Sequence, residues 1–137
     1  MRVARRFEFD AAHRLPDHAG RCRFLHGHRY AVEVEVEGGQ LVDGCVVDFG
    51  VLKELVGGWI DEHWDHATLV SDCDESLLGW CKANEQRSYA LDGPPTIENM
   101  VHELVVVLRP TMTARGLALV RVRGYETPTC WAEWKAP

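Results

Sequence analysis

No stretch of this sequence approaches the ~20 consecutive apolar residues that a bilayer-spanning helix needs, so no membrane partner is expected. The opening residues, MRVARRFEFD, lack the apolar core of a secretory signal. Positive charge is in deficit: 15 Lys and Arg stand against 21 Asp and Glu, a formal net charge of −6. That excludes the basic footprint of a nucleic-acid-binding domain. Cysteine is sparse and odd in number, with Cys22, Cys45, Cys73, Cys81 and Cys130 spread singly and no CxxC pair. A secreted disulfide framework is therefore not expected, and a reducing cytoplasm suits the chain better. Repeats and low-complexity linkers are also missing. With 137 residues, 46% of them hydrophobic, the chain is expected to form one domain over residues 1–137.

What is present is concentrated between Phe7 and Tyr30, a stretch with four of the seven histidines and one cysteine. Side chains two apart share a face of a strand. The odd positions Val3, Arg5, Phe7, Phe9, Ala11 and His13 share one face, apolar but for Arg5, of a strand near Arg2–His13. In the next run, from His26 to Gly38, the even positions His26, His28, Tyr30, Val32, Val34 and Val36 are apolar or aromatic. The odd positions there include Glu33, Glu35 and Glu37, most simply a solvated face. A hairpin brings the end of the first strand beside the start of the second. His13, His26 and His28 then converge on the apolar side, and converging neutral imidazoles are what zinc prefers. Cys22, on the intervening loop, either closes the site as a fourth ligand or stands beside the metal as a base or nucleophile. The plain alternative is three core histidines bonded to backbone.

Downstream, Asp48 can cap a helix carrying Leu52, Leu55, Val56, Trp59, Ile60 and His63 at helical spacing, ending before Asp65-His66. Cys45–Val47 is expected to extend the sheet. Residues 69–91 are the least readable; DESLLGWCKA has the length of a short helix. Thr96 can cap a second helix with the stripe Ile97, Met100, Val101, Leu104, Val105 and Leu108, which Pro110 is expected to stop. Strands near Leu117–Glu126 and Cys130–Lys135 follow, with Ala118, Val120, Val122 and Glu126 sharing parity. The expected fold class is α+β: a four-stranded antiparallel sheet with two helices on one face, in ββααββ order. The other sheet face, with Trp-rich positions and the Tyr30 side, is expected to need cover by assembly.

Taken together, FDAAHRL and the ordered set Cys22, His26, Gly27 and His28 resemble the 6-pyruvoyltetrahydropterin synthase superfamily. The three-residue gap between Cys22 and His26 is similar to its bacterial branch, the 6-carboxytetrahydropterin synthases of queuosine biosynthesis. The resemblance covers nearly the whole chain. It implies the tunnelling fold (T-fold), in which three subunits close their sheets into a barrel and two trimers stack as a homohexamer with interfacial sites. It also implies Zn2+ on His13, His26 and His28, with Cys22 as the proton-abstracting residue.

Other residues read more weakly without it. Asp65 beside His66 can orient an imidazole, though a helix-end histidine bonding carbonyls is the common alternative. The resemblance makes the pair a relay with Cys22 contributed by a neighbouring subunit; Trp64 stands where leucine is usual. Glu126 is a carboxylate on an apolar-face position, either a structural partner of Arg121 or Arg123 or a bidentate acceptor for a pterin's paired N–H groups. The resemblance favours the pterin anchor. It also draws in Thr96 and Glu98 of the PTIEN segment, otherwise plain helix capping. Arg14, His18 and Arg23 are either cations for a triphosphate or a solvated loop. His63 and His102 read as helix residues. The implied reaction is zinc-dependent conversion of 7,8-dihydroneopterin triphosphate to 6-carboxytetrahydropterin, acetaldehyde and triphosphate. The alternatives are a 6-pyruvoyltetrahydropterin synthase or related side-chain lyase, and a non-catalytic zinc- and pterin-binding protein.

Overall fold

A computed structural model describes residues 1–137. Strand β1 (Arg2–His13) and strand β2 (His26–Gly38) occupy the expected positions. They pair antiparallel along their whole length, from Arg2 against Glu37 to His13 against His26. One face of this hairpin is buried through Phe9, Ala11, His13, Tyr30, Val32, Val34 and Val36. Phe9 stacks on Tyr30 at 5.3 Å between ring centroids and meets Trp64 at 5.7 Å. Tyr30 thus belongs to the core rather than to a face awaiting cover.

The sheet has six strands, not four, and is mixed rather than antiparallel, in the order β4-β3-β1-β2-β5-β6. The two additional strands, β3 (Ala67–Ser71) and β4 (Ser88–Leu91), lie in the segment that was least readable. β3 runs parallel to β1, and β4 parallel to β3. Both are short, and a parallel strand buried on both faces shows no alternation. Leu69 enters the main core, while Val70, of opposite parity, joins Leu77 and Cys81 in a separate cluster. Helix α3 (Glu75–Ala83) therefore covers the face of β3 opposite the other helices.

Residues 49–63 form one helical rod: α1 (Phe49–Leu52), a π-helical segment (Lys53–Gly57) and α2 (Gly58–His63). Asp48 caps it through Gly50 N–H at 2.6 Å. Its buried residues, Leu52, Val56, Ile60 and then Trp64, stand four apart and lie on the hairpin. Helix α4 (Ile97–Ala114) is capped by Thr96 and runs through Pro110 instead of stopping there. Pro110 lacks the N–H of the helical ladder, but Met112 beyond it is fully buried and holds the last turn on the core. The helix ends at Gly116 with φ +70°, the left-handed conformation glycine tolerates.

Strand β5 (Leu117–Thr127) pairs with β2 and with β6 (Cys130–Lys135). A register shift opposite Glu35/Val36 reverses its parity. Leu117 and Leu119 point inward, then Val122 and Gly124, so Ala118 is exposed and Val120 only half-buried. Gly124 is where α4 lies closest: a Cβ there would sit 2.8 Å from Val101 Cγ2. Cys45–Val47 does not extend the sheet. Cys45 bridges only to Val42, across a turn whose Asp43 and Gly44 both have positive φ. The open face of the sheet is a charged lattice, including Arg121–Glu35 at 2.7 Å and Arg123–Glu133 at 2.6 Å. The odd-numbered glutamates of β2 are thus paired across strands rather than merely solvated. No helix is long and apolar enough to cross a membrane.

Candidate metal centre and acid–base groups

The β1–β2 register sets His13 directly opposite His26 and Ala11 opposite His28. All three imidazoles therefore leave the sheet on its helix-covered side, with ligand nitrogens within 4.8 Å of one another. Backbone carbonyls orient two of the rings. His13 Nδ1 lies 2.8 Å from Pro95 O and His26 Nδ1 lies 2.6 Å from Phe24 O. With Nδ1 donating, Nε2 carries the lone pair, as in a metal-ligating histidine held from behind by an oxygen. Nε2 of His13 and of His28 are buried with no hydrogen-bond partner. Burial holds both rings below the ordinary imidazole range, outweighing the Pro95 carbonyl at His13 and the Glu126 carboxylate near both. Two orphaned, neutral imidazole nitrogens aimed at one point with a third beside them fit a divalent metal of zinc type. Sequence spacing anticipated the triad; the Pro95 and Phe24 carbonyls left no mark in it, because any residue supplies a carbonyl.

Glu126 joins this group. The parity reversal in β5 keeps it on the inward side, and its Oε1 lies 3.8 Å from His28 Nε2. It makes no ion pair with Arg121 or Arg123, which pair with Glu35 and Glu133 instead. Cys22 lies in a 3-10 turn (Arg21–Arg23), half-buried. Its sulfur is not part of the three-histidine cluster. Thr96 accepts from Asn99 N–H at 3.4 Å and lines a cavity of about 760 Å³ together with Leu15, His18 and Asp74. Glu98 is exposed in the first turn of α4.

Asp65 and His66 form a second centre. His66 Nδ1 is 2.8 Å from Asp65 Oδ2. Asp65 Oδ1 accepts from Asp10 N–H at 3.0 Å, and His66 N–H donates to Asp10 O at 2.7 Å. These bonds hold His66 at φ +56°, a strained value for a non-glycine residue and one that concentrates at functional sites. Burial alone would raise the Asp65 carboxyl; the Asp10 N–H and the His66 ring outweigh it and hold it below the usual carboxylate range. His66 is 73% exposed on its side chain. The carboxylate of Asp10 completes this cluster, and its even parity in β1 puts it on the open face. Within one chain Asp10, Asp65 and His66 thus gather on the side of the sheet away from the histidine triad. The role of Asp10 was not read from the sequence, since it acts mainly through its backbone.

Of the loop cations, Arg14 is not free for a phosphate: it forms a two-pronged ion pair with Asp74 at 2.7 Å on both arms. His18 Nδ1 accepts from Gly20 N–H, and Arg23 stacks over Phe24.

The model of one protein family, described as 6-pyruvoyl tetrahydropterin synthase, matches residues 2–137. The chain belongs to that family. Among its family relatives, a protein of Rickettsia bellii named 6-carboxy-5,6,7,8-tetrahydropterin synthase is 34% identical, covering 97% of this chain and 99% of the relative. A protein of the same name from Haemophilus influenzae is 28% identical over 98% and 99%. The fold is shared with a crystal structure of an uncharacterized protein from Wolinella succinogenes (TM-score 0.87, 23% identity, 100% and 98% covered). It is shared too with 6-pyruvoyl tetrahydropterin synthase of Caenorhabditis elegans (TM-score 0.72, 23% identity, 100% and 96% covered).

Proposed function

We propose that this family member is a zinc-dependent 6-carboxytetrahydropterin synthase: a single-domain lyase that converts 7,8-dihydroneopterin triphosphate to 6-carboxytetrahydropterin, acetaldehyde and triphosphate, in a route to queuosine or another 7-deazapurine. The observation that carries this is the pair of buried, partnerless Nε2 atoms of His13 and His28 with the Glu126 carboxylate 3.8 Å away. His13, His26 and His28 would hold the metal, which would supply positive charge that lowers the pKa of the substrate's side-chain hydroxyls. Glu126 accepts from the adjacent N–H groups of the pterin ring, which sets the ring's side chain toward the triad. Cys22 takes a proton from that side chain. His66, with Nδ1–H donated to Asp65, keeps Nε2 available to pass protons on. Thr96 and Glu98 flank the ring's approach at the start of α4. Positioning of these groups supplies the rate. Because the relay lies on the other side of the sheet from the triad, the working site combines two subunits of a homo-oligomer, a hexamer of T-fold barrels located in the cytoplasm.

Product analysis of the zinc-loaded protein with 7,8-dihydroneopterin triphosphate tests the reading. Acetaldehyde with a carboxylated pterin is the expected outcome. Triphosphate with a pyruvoyl pterin and no acetaldehyde moves the protein to the 6-pyruvoyl branch. Absence of turnover with zinc bound leaves only a binding role. Cys22→Ala is expected to keep its zinc and lose at least about a hundredfold in kcat; full turnover would remove Cys22 from the reaction.

A further inference from the structure

We propose that the Arg14–Asp74 ion pair positions Cys22, and that fixing this thiol is a task of the segment between β3 and β4. The inference rests on the reading of Cys22 as the proton-transfer residue. The loop from Arg14 to Leu25 carries Cys22 but buries none of its residues fully, so packing does not hold it. One backbone bond spans it: Leu15 N–H donates to Cys22 O at 2.8 Å. Wherever Leu15 is set, Cys22 follows. Leu15 is set by its neighbour Arg14, whose Nε and Nη2 each lie 2.7 Å from a different oxygen of Asp74.

The anchor itself is rigid. Asp74 is 8% exposed, and its Oδ1 also accepts from Leu77 N–H at 3.1 Å, capping α3. Leu77 and Cys81 of that helix are buried against Val70 of β3. The guanidinium holds the Asp74 carboxyl below the usual range, and the carboxylate in turn raises Arg14. A paired-donor contact between planar groups fixes orientation as well as distance. Otherwise the loop's Leu15–His18 and the Ser71–Ser76 segment face each other across the cavity of about 760 Å³. The chain of support runs from the β3 cluster through α3, Asp74, Arg14 and Leu15 to Cys22.

The Leu15 amide reports the clamp directly. Residue-resolved hydrogen exchange on the zinc-loaded full chain is measured for wild type, Arg14→Met, Arg14→Lys and Asp74→Asn, with kcat and KM on the same preparations. Exchange at Leu15 is expected to rise about tenfold or more in Arg14→Met and Asp74→Asn, while Leu104 and Val105 in α4 stay as they were. kcat is expected to fall about tenfold with KM within about threefold, since misplacing a reacting group costs rate. Arg14→Lys, which keeps the charge without the fork, falls between; it also covers the case in which Arg14→Met does not fold. Unchanged Leu15 exchange in the folded variants overturns the clamp and leaves the Cys22 reading standing. Faster exchange with undiminished kcat overturns its bearing on the reaction, and Cys22→Ala then shows separately whether the thiol is needed.

Discussion

Tyr30 is fully buried, and its hydroxyl has no partner. Burial drives the phenol well above its ordinary pKa, so it stays a neutral donor with nothing to donate to. A buried hydroxyl in that state costs about 1–3 kcal/mol relative to a satisfied one. Tyr30→Phe keeps the ring stacked on Phe9 and removes the orphan. The expected result is no loss of stability, and a gain of up to about 1 kcal/mol in urea unfolding of the metal-free chain. A loss larger than that would show that the hydroxyl has a partner in solution. His13 and His28 carry a pH dependence of defined sign. Their folded pKa values lie below the unfolded value of about 6.5. Their contribution to stability is therefore complete above that value and is lost as pH falls through it toward the folded values. The unfolding free energy of the metal-free chain, nearly flat from pH 7.5 to about 6.5, should drop below that with a slope of at most about 1.4 kcal/mol per pH unit for each proton taken up on unfolding. His13→Asn should flatten that slope by about one proton. At this scale the sequence was informative: alternation alone aligned His13 with His26 and His28, because a strand's period of two leaves no freedom. The Asp10 contacts to Asp65 and His66 were illegible, since on the Asp10 side they are made by backbone N–H and C=O, which any residue supplies, and they join positions 55 or more apart in the chain.

Pro110 illustrates how tertiary burial overrides a local stop signal. Proline removes one ladder bond and crowds the preceding turn, a cost of about 3 kcal/mol in a free helix interior. Here α4 continues for four residues beyond it, to Ala114. Leu108 and Met112 on either side are at most 1% exposed, so the core keeps the last turn in place. Pro110→Ala should therefore stabilise the chain, by up to about 3 kcal/mol, read as a rise in the unfolding midpoint. A fall would mean that the proline sets the angle at which α4 enters the core. The same competition explains which elements were readable. β1, β2, β6 and α4 have long or strictly periodic patterns and end near recognisable caps and turns. β3 and β4 are five and four residues long, and neither face of β3 is left to water. A strand without a wet face has no alternation to detect. The reversal in β5 was invisible for another reason: a bulge is a property of pairing with β2, and Val120 looks no different from its neighbours.

Across the whole molecule, the two sides of the sheet divide the chemistry. The covered side presents His13, His26, His28 and Glu126. The open side presents Asp10, Arg29 and the Asp65–His66 pair, with Arg29 Nη1 2.8 Å from Asp10 Oδ2. That open side is already saturated with ion pairs; Lys135 and Arg123 draw the Glu133 carboxyl down to about 2. Surface pairs of this kind add little stability singly, yet they leave the face polar. If the triad of one subunit works with the relay of another, two inactive variants should rescue each other. Cys22→Ala and His66→Ala homomers are each expected to be inactive. When they are unfolded together and refolded at equal amounts, random assembly gives about one site in four an intact Cys22 and an intact His66 from adjacent subunits. Activity near a quarter of wild type is the expected result, with zinc content unchanged in every sample. Activity that stays at background after mixing, in oligomers shown by mass to contain both variants, would place both groups in one chain and require the loop bearing Cys22 to reach around the sheet.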